Sequence, residues 1–315
     1  MTAATRSLGP FVTVLFGAER GKYPDGNSVL VRGRESSVLI DPSLSVHAMS
    51  VHALSVHGLS GHGMQPHVHV EHVLLTHPHE DHVAGLSAVR ADGVAVHRAD
   101  LAALQSLDGL MLLYGIPRDE WPAMQRLVTE RFHFEARPDA HAFDDGAEWR
   151  LGGATVRAVH APGHTAGHCV FLVEQDGGPT VMVTGDIDLT GFGPYYGDAA
   201  SSLDDFETTL AKVRGLAADH HVTFHHKGVV DGHDAFVAAV DAYAAVFRRR
   251  SLALLALLDR PRTLDELVAD GIVYRAGTRP PLFGESVERH SIWRHLERAL
   301  ADGEIGTDGR QYWAV

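Results

Sequence analysis

The stretch Thr76-His77-Pro78-His79-Glu80-Asp81-His82 follows directly on the apolar run Val73-Leu74-Leu75. An apolar run feeding a polar loop is a usual seat for chemistry in an α/β protein, because the strand fixes where the loop lies. His77 and His79 are two apart, so in an extended segment their imidazoles point to the same side, and Asp81 and His82 follow in a charged turn. Neutral imidazole nitrogen and carboxylate oxygen suit zinc, iron, manganese and related divalent ions. Four such groups within six residues exceed what a satisfied core needs.

Upstream, Phe11 to Phe16, Ser28 to Val31 and Ser37 to Ile40 read as strands, the last ending at Asp41-Pro42. Downstream, Val83 to Ala91 reads as the opening of a helix and Val94 to Val96 as a short strand. Residues 99–134 read as helical, broken at Pro117 and Pro122, and Thr155 to Val159, Val170 to Glu174 and Val181 to Val183 as strands. Leu203, Phe206, Leu210, Val213 and Leu216 recur on one helical face, and Val222 to Phe224 follows as a strand. This order predicts layers of sheet covered by helices. Metal-type residues recur beyond the strands, in Pro162-Gly163-His164-Thr165-Ala166-Gly167-His168, in Thr184-Gly185-Asp186 and in Phe224-His225-His226-Lys227-Gly228, so distant segments can meet at one sheet edge.

With those three segments beside it, THPHEDH resembles the metallo-β-lactamase-fold superfamily of hydrolases, over residues 10–245. The resemblance implies an αββα sandwich of the α/β class, with His77, His79 and His164 on a first metal, Asp81, His82 and His226 on a second, and Asp186 bridging. His226 is preferred to His225 by counting back from Val229-Val230-Asp231-Gly232, although Lys227 stands where the family usually has glycine. Two divalent cations are implied, zinc foremost with iron or manganese as alternatives, sharing a bridging water that is presented as hydroxide to a carbonyl or phosphoryl centre. Asp81 and Asp186 would temper the cations and orient that nucleophile, with Asp41, His168 and His225 as supporting groups; for His168 a purely structural hydrogen bond is the alternative, and for Asp41 the capping of its turn.

The fold hosts many chemistries, so the substrate must come from the walls. Thioester or lactone hydrolysis on a small molecule is the preferred reading. Tyr195 and Tyr196, just past Asp186, are candidates to contact substrate or to pack a turn, and the apolar residues of 99–134 to cover an acyl group, pack a helical layer or form a homodimer surface. An endoribonuclease or other phosphodiesterase is the main alternative, supported by Arg248-Arg249-Arg250 and opposed by a formal charge of −13, from 27 basic and 40 acidic residues. A noncatalytic metal-binding interaction protein is a further alternative.

The 315 residues suffice for one large domain with a small appendage, expected as 1–247 and 248–315. A helix at 234–247 ends the first part; beyond it, helices at 252–258, 263–268 and 291–300, with a hairpin at 303–306 and 311–315, give the tail a winged-helix-like arrangement, and Thr263 and Glu266 form a capping-box pattern. The single Cys169 excludes an intrachain disulfide and is expected to be a buried thiol. The absence of a signal-like start and of a long apolar run predicts a cytoplasmic protein that does not enter membranes. Four five-residue units, each with one histidine, run from Ser45 to Met64; a step of five residues keeps neither one helical face nor one strand face, so they read as a linker, with a lid or an accessory metal-binding segment as the alternative.

Overall fold

The computed structural model describes residues 4–48, 68–275 and 277–315. Seven strands form the first sheet in sequence order: β1 (Thr5–Ser7), β2 (Val12–Leu15), β3 (Ser28–Arg32), β4 (Ser37–Ile40), β5 (Val68–Leu74), β6 (Val89–His97) and β7 (His141–Phe143). The pairs from β4 to β7 are parallel and the earlier ones antiparallel. A second sheet is built from β8 (Glu148–Arg150), β9 (Ala154–His160), β10 (Cys169–Gln175), β11 (Val181–Val183), β12 (His220–Val222) and β13 (Val229–Asp231). Its spatial order is β13-β12-β11-β10-β9-β8, with only β11 and β12 parallel.

Period-two alternation explains the layering. Val38 and Ile40 face the core shared by the two sheets, together with Phe171, Val181 and Val183, while Leu39 faces the helices on the first sheet and Met182 those on the second. The outer helices Leu203–Arg214 and His233–Leu257 close the second sheet with Phe206, Leu210, Phe236, Val240 and Phe247. The result is the expected αββα sandwich. No helix among the described residues is long and apolar enough to cross a membrane.

Several elements depart from the sequence reading. In place of the helix expected at 83–91 there are the short Glu80–Val83 helix and a single 3-10 turn, Leu86–Ala88, and the chain then enters β6, where exposed Arg90 and Asp92 alternate with Val89 and Ala91 packed on the core. Pro122 does not break a helix; it occupies the first turn of Trp121–Arg131, where proline's missing N–H costs nothing. The two helices expected at 234–247 and 252–258 are one, His233–Leu257, running unbroken through 247/248. Of the histidine repeat, His47 lies in the helix Leu44–Ala48 and stacks on His133 with centroids 4.2 Å apart, while residues 49–64 of the repeat lie outside the described residues. Cys169 is fully buried, and burial pushes its thiol up.

The tail contains the helices Leu264–Asp270 and Gly284–Ala301 and a three-stranded sheet, β14 (Arg262–Thr263), β16 (Gln311–Ala314) and β15 (Ile305–Thr307) in that spatial order. The Thr263 and Glu266 capping box forms as expected. Leu254, Leu267, Ile292, Leu296 and Tyr312 give the tail its own core. Glu288 is wholly buried, and its carboxylate accepts the backbone N–H groups of Ile272, Val273 and Tyr274, with closest distances of 2.9, 3.1 and 2.8 Å. Three donors on one buried carboxylate hold that turn in place. Glu288→Ala leaves them orphaned, so chemical unfolding should show a loss of about 2–4 kcal/mol, with Glu288→Gln in between; a change within experimental error for Glu288→Ala would refute the assignment.

Candidate metal centre and its cleft

Five chain segments deliver polar groups to one edge of the two sheets. Asp41 follows β4, the THPHEDH loop follows β5, His164 lies beyond β9, Asp186 beyond β11 and His225 beyond β12. Two glycines permit the crowding. Gly163 has φ of 129°, and a Cβ there would lie 2.3 Å from the Phe206 Cα; Gly185 has φ of 54°, and its Cβ would lie 2.5 Å from the His168 ring.

His164 Nε2 lies 3.0 Å from His77 Nε2 and 3.1 Å from His79 Nδ1. The opposite nitrogens are already engaged: His79 Nε2 with the Asp198 carboxylate at 2.6 Å, His164 Nδ1 with the Tyr195 carbonyl at 2.9 Å and His77 Nδ1 with the Thr76 hydroxyl at 3.2 Å. Two of those partners can only accept, so His79 and His164 hold their protons on the far nitrogen and turn lone pairs inward. A tetrahedral zinc with Zn–N of about 2.0–2.1 Å sets its nitrogens about 3.3 Å apart. The donor set therefore fits a divalent ion, and without one three buried lone pairs would face each other.

Asp186 joins this group to a second. One carboxylate oxygen is 3.2 Å from His164 Nε2 and 4.0 Å from His77 Nε2; the other is 2.8 Å from His82 Nε2 and 3.9 Å from His225 Nε2. Asp81 completes the second group, 3.0 Å from His225 Nε2. The ligand-type atoms of His77, His79, His164 and Asp186 lie within 4.8 Å of one another, as do those of Asp81, His82 and His225. The two groups form a site of dinuclear type.

The structure corrects the choice between the adjacent histidines: His225, not His226, reaches the carboxylates. His225 Nδ1 donates to the carbonyls of Gly21 and Asp25, at 2.8 and 3.0 Å, which aims Nε2 at Asp81. At His226 the chain turns over with φ of 60°, and Lys227 N–H closes on the His225 carbonyl at 2.7 Å, so the two side chains diverge. His226 is left on the wall of the cleft.

The electrostatics favour positive charge in the second group. Burial opposes the charged form of His82, yet Asp186 and Asp41 outweigh it and lift the ring to about 10; His225 is likewise buried and is raised by Asp188, Asp81 and Asp186. Burial is also outweighed at His79, where Asp198 lifts the ring to about 9. His77 and His164 are held well below the ordinary imidazole range, first by burial and then by neighbouring rings. A second proton on His79 would have to sit on Nδ1, against its two neighbours, whereas a cation satisfies all three nitrogens.

The supporting groups act as follows. Asp41 accepts Thr76 N–H at 2.8 Å and the Thr76 hydroxyl at 2.7 Å, and lies 3.1 Å from His82 Nδ1. His168 bridges the Ala161 carbonyl and Asp186 N–H, at 2.9 and 3.2 Å, fixing the loop that carries Asp186. A cleft of about 320 Å³ opens over both groups. Tyr195 lines it, with its hydroxyl 3.3 Å from Asp198. Tyr196 does not line it and takes the packing role instead: it is 1% exposed, and its hydroxyl lies 2.9 Å from His295 of the tail. Aromatic spacing alone could not tell the two neighbours apart.

Sequence reasoning passed over Asp198, Glu80, Tyr114, Asp188 and the tail's share of the cleft. Glu80 takes hydrogen bonds from Tyr114 and Tyr23 at 2.5 and 3.1 Å, and the Asp188 carboxylate accepts His225 N–H at 3.1 Å. Tyr274, Phe283 and Val287 supply one wall from the tail. Arg294 donates to the Asp198 carbonyl at 2.6 Å and the Ser201 carbonyl at 2.9 Å, while Arg250 donates to those of Pro194 and Phe192 at 2.5 and 2.9 Å. The tail thereby clamps the loop from which Tyr195 and Asp198 hold His164 and His79.

The family model described as Metallo-beta-lactamase superfamily matches residues 23–225, and the chain belongs to that superfamily. It is 25% identical to a metallo-beta-lactamase family protein of Thermus thermophilus, over 92% of this chain and 94% of that one, with a TM-score of 0.65. Among curated proteins it is 33% identical to an atrochrysone carboxyl ACP thioesterase of Emericella nidulans over 39% of this chain, and 25% identical to one of Passalora fulva over 77%. It spans 36% and 63% of the lengths of those two proteins. It is 27% identical to the acyl-coenzyme A thioesterase MBLAC2 of Bos taurus, over 81% of this chain and 94% of that protein.

Metal analysis after dialysis against a weak chelator should separate the two histidines. His225→Ala should lose close to one equivalent of metal and His226→Ala should keep both; the reverse pattern would overturn the geometric assignment. Asp198→Ala, which frees His79 to turn, should weaken metal retention about 10–100-fold in a chelator competition.

Proposed function

We propose that the protein is a metal-dependent hydrolase of small-molecule acyl thioesters, with His77, His79 and His164 on one ion, Asp81, His82 and His225 on the other, and Asp186 shared. The observation that carries this reading is the pair of ligand groups, joined by one carboxylate, on the floor of a cleft whose walls include Ile116, Met124, Phe192 and Tyr195. Similarity to thioesterases supports the bond type; one of them, an acyl-coenzyme A thioesterase, is matched over 94% of its length.

Two divalent ions bound there, zinc being the first choice for this nitrogen-rich set, lower the pKa of water and stabilise developing oxygen charge. The chain's own groups do the rest. Asp198 and the Tyr195 carbonyl hold the His79 and His164 rings, and Asp41 holds His82 and the Thr76 end of the loop. Asp81 and Asp186 place negative charge beside the entering water. The apolar wall receives the acyl chain, and Tyr195 Oη, on exchanging its Asp198 partner, donates to the thioester carbonyl or the departing sulfur. Water oxygen adds to the carbonyl carbon, the C–S bond breaks, and the products are a carboxylate, a thiol and a proton.

Metal-replete protein assayed on matched thioesters, lactones, β-lactams and phosphodiesters should turn over thioesters best. Asp186→Ala should reduce thioester kcat/KM by about 10²-fold or more, equivalent to about 3 kcal/mol of transition-state stabilisation. Phosphodiester cleavage with no thioester turnover would sink the proposal.

A further inference from the structure

Beside the cleft lies a second depression of about 440 Å³, whose lining includes Gly191, Phe192, Arg249, Arg250, Tyr274 and Arg275. Phe192 and Tyr274 line both spaces, and their rings, 5.8 Å apart, form the ridge between them. The two spaces have opposite electrostatic character. The cleft is lined by Glu80, Asp81, Asp186, Asp188 and Asp198 without a lysine or arginine, whereas the neighbouring depression is lined by three arginines without a carboxylate.

The arginines are not equivalent. Arg250 is buried and spends its guanidinium on the Pro194 and Phe192 carbonyls, so it is structural. Arg249 is exposed and touches only the Gly191 carbonyl at 3.5 Å, and Arg275 is exposed; neither has a carboxylate partner among the described residues. The platform is built, not incidental. Glu288 fixes the turn 272–274 from within, and Arg249 projects from the rigid helix His233–Leu257. In a chain of net charge −13, two uncompensated guanidinium groups next to the reaction cleft mark a place for an anion.

We propose that this depression binds the phosphate of a phosphopantetheine arm, the thiol carrier whose acyl thioester occupies the cleft; the inference rests on the thioesterase reading above. A guanidinium pair matches a phosphate's acceptor oxygens, and the Phe192 and Tyr274 ridge offers an apolar track for the arm between phosphate and sulfur. A single compact basic depression suits one terminal phosphate. An RNA strand would call for a continuous basic track, and the carboxylate-lined cleft interrupts it.

The test compares octanoyl thioesters of pantetheine, 4′-phosphopantetheine and coenzyme A on the metal-replete full chain. The phosphate should raise kcat/KM at least about tenfold over the pantetheine thioester, chiefly through KM. In the Arg249→Ala/Arg275→Ala double variant, checked for an unchanged melting temperature, that ratio should fall to near one, and calorimetric titration with coenzyme A should lose affinity by a similar factor. Equal rates on phosphorylated and unphosphorylated thioesters in the wild type would overturn the proposal while leaving the thioesterase reading intact. Should none of the three be hydrolysed, the thioesterase reading falls, and the titration decides the phosphate site by itself. Single-stranded RNA cleavage that is abolished in the double variant would overturn it in favour of a phosphodiester substrate.

Discussion

Asp186 presents one carboxylate oxygen to His164 and His77 and the other to His82 and His225, and the rest of the site is arranged around that division. A buried carboxylate among imidazoles whose lone pairs converge is a costly electrostatic arrangement without cations, because burial removes most of the solvent that would compensate it. The fold maintains it by fixing the outer side of each ring. Asp198, the Tyr195 carbonyl, Asp41 and the carbonyls of Gly21 and Asp25 all hold nitrogens that point away from the centre. Preorganisation of this kind means that ligand geometry is set by hydrogen bonds made in segments far apart in sequence.

That dependence explains why the tail cannot be treated as an ornament. The loop 192–201 supplies both Tyr195 and Asp198, and its carbonyls are held by Arg250, Arg294 and His290. Two of those residues lie in the helix Gly284–Ala301, which also brings Val287 to the cleft. Position of the first ligand group and shape of the substrate wall are therefore mechanically linked. Arg294 on that helix holds the carbonyl of Asp198, whose carboxylate holds His79, so the helix and the first ligand group share one loop.

Much of this was legible in the sequence, for identifiable reasons. His77, His79, Asp81, His82, His164 and Asp186 sit beyond strands, where strand direction and short spacing leave little freedom, and all six lie together at that edge. Counting back from Val229-Val230-Asp231-Gly232 selects His226 over His225, whereas the geometry turns on a left-handed residue that no spacing rule encodes. Asp198 escaped notice since it stands 119 positions from His79, in a segment with no metal-like pattern of its own. Tyr196 looked like its neighbour, yet the tail's His295 claims it. The strand β6 reads short in the sequence because only Val94–Val96 forms an apolar run; in its first half exposed Arg90 and Asp92 alternate with the small or partly buried Val89, Ala91 and Gly93.

The charge distribution brings these strands of reasoning together. The carboxylates of the cleft are committed to cations and to the rings that hold them, and in the proposed reaction the acyl thioester fills the space above them. The phosphate of a phosphorylated carrier would then lie outside the cleft and call for a separate patch. The arginine-lined depression meets that requirement at the shared Phe192 and Tyr274 ridge. Recognition of the carrier and activation of water thus fall to different surfaces, joined through the tail that shapes both.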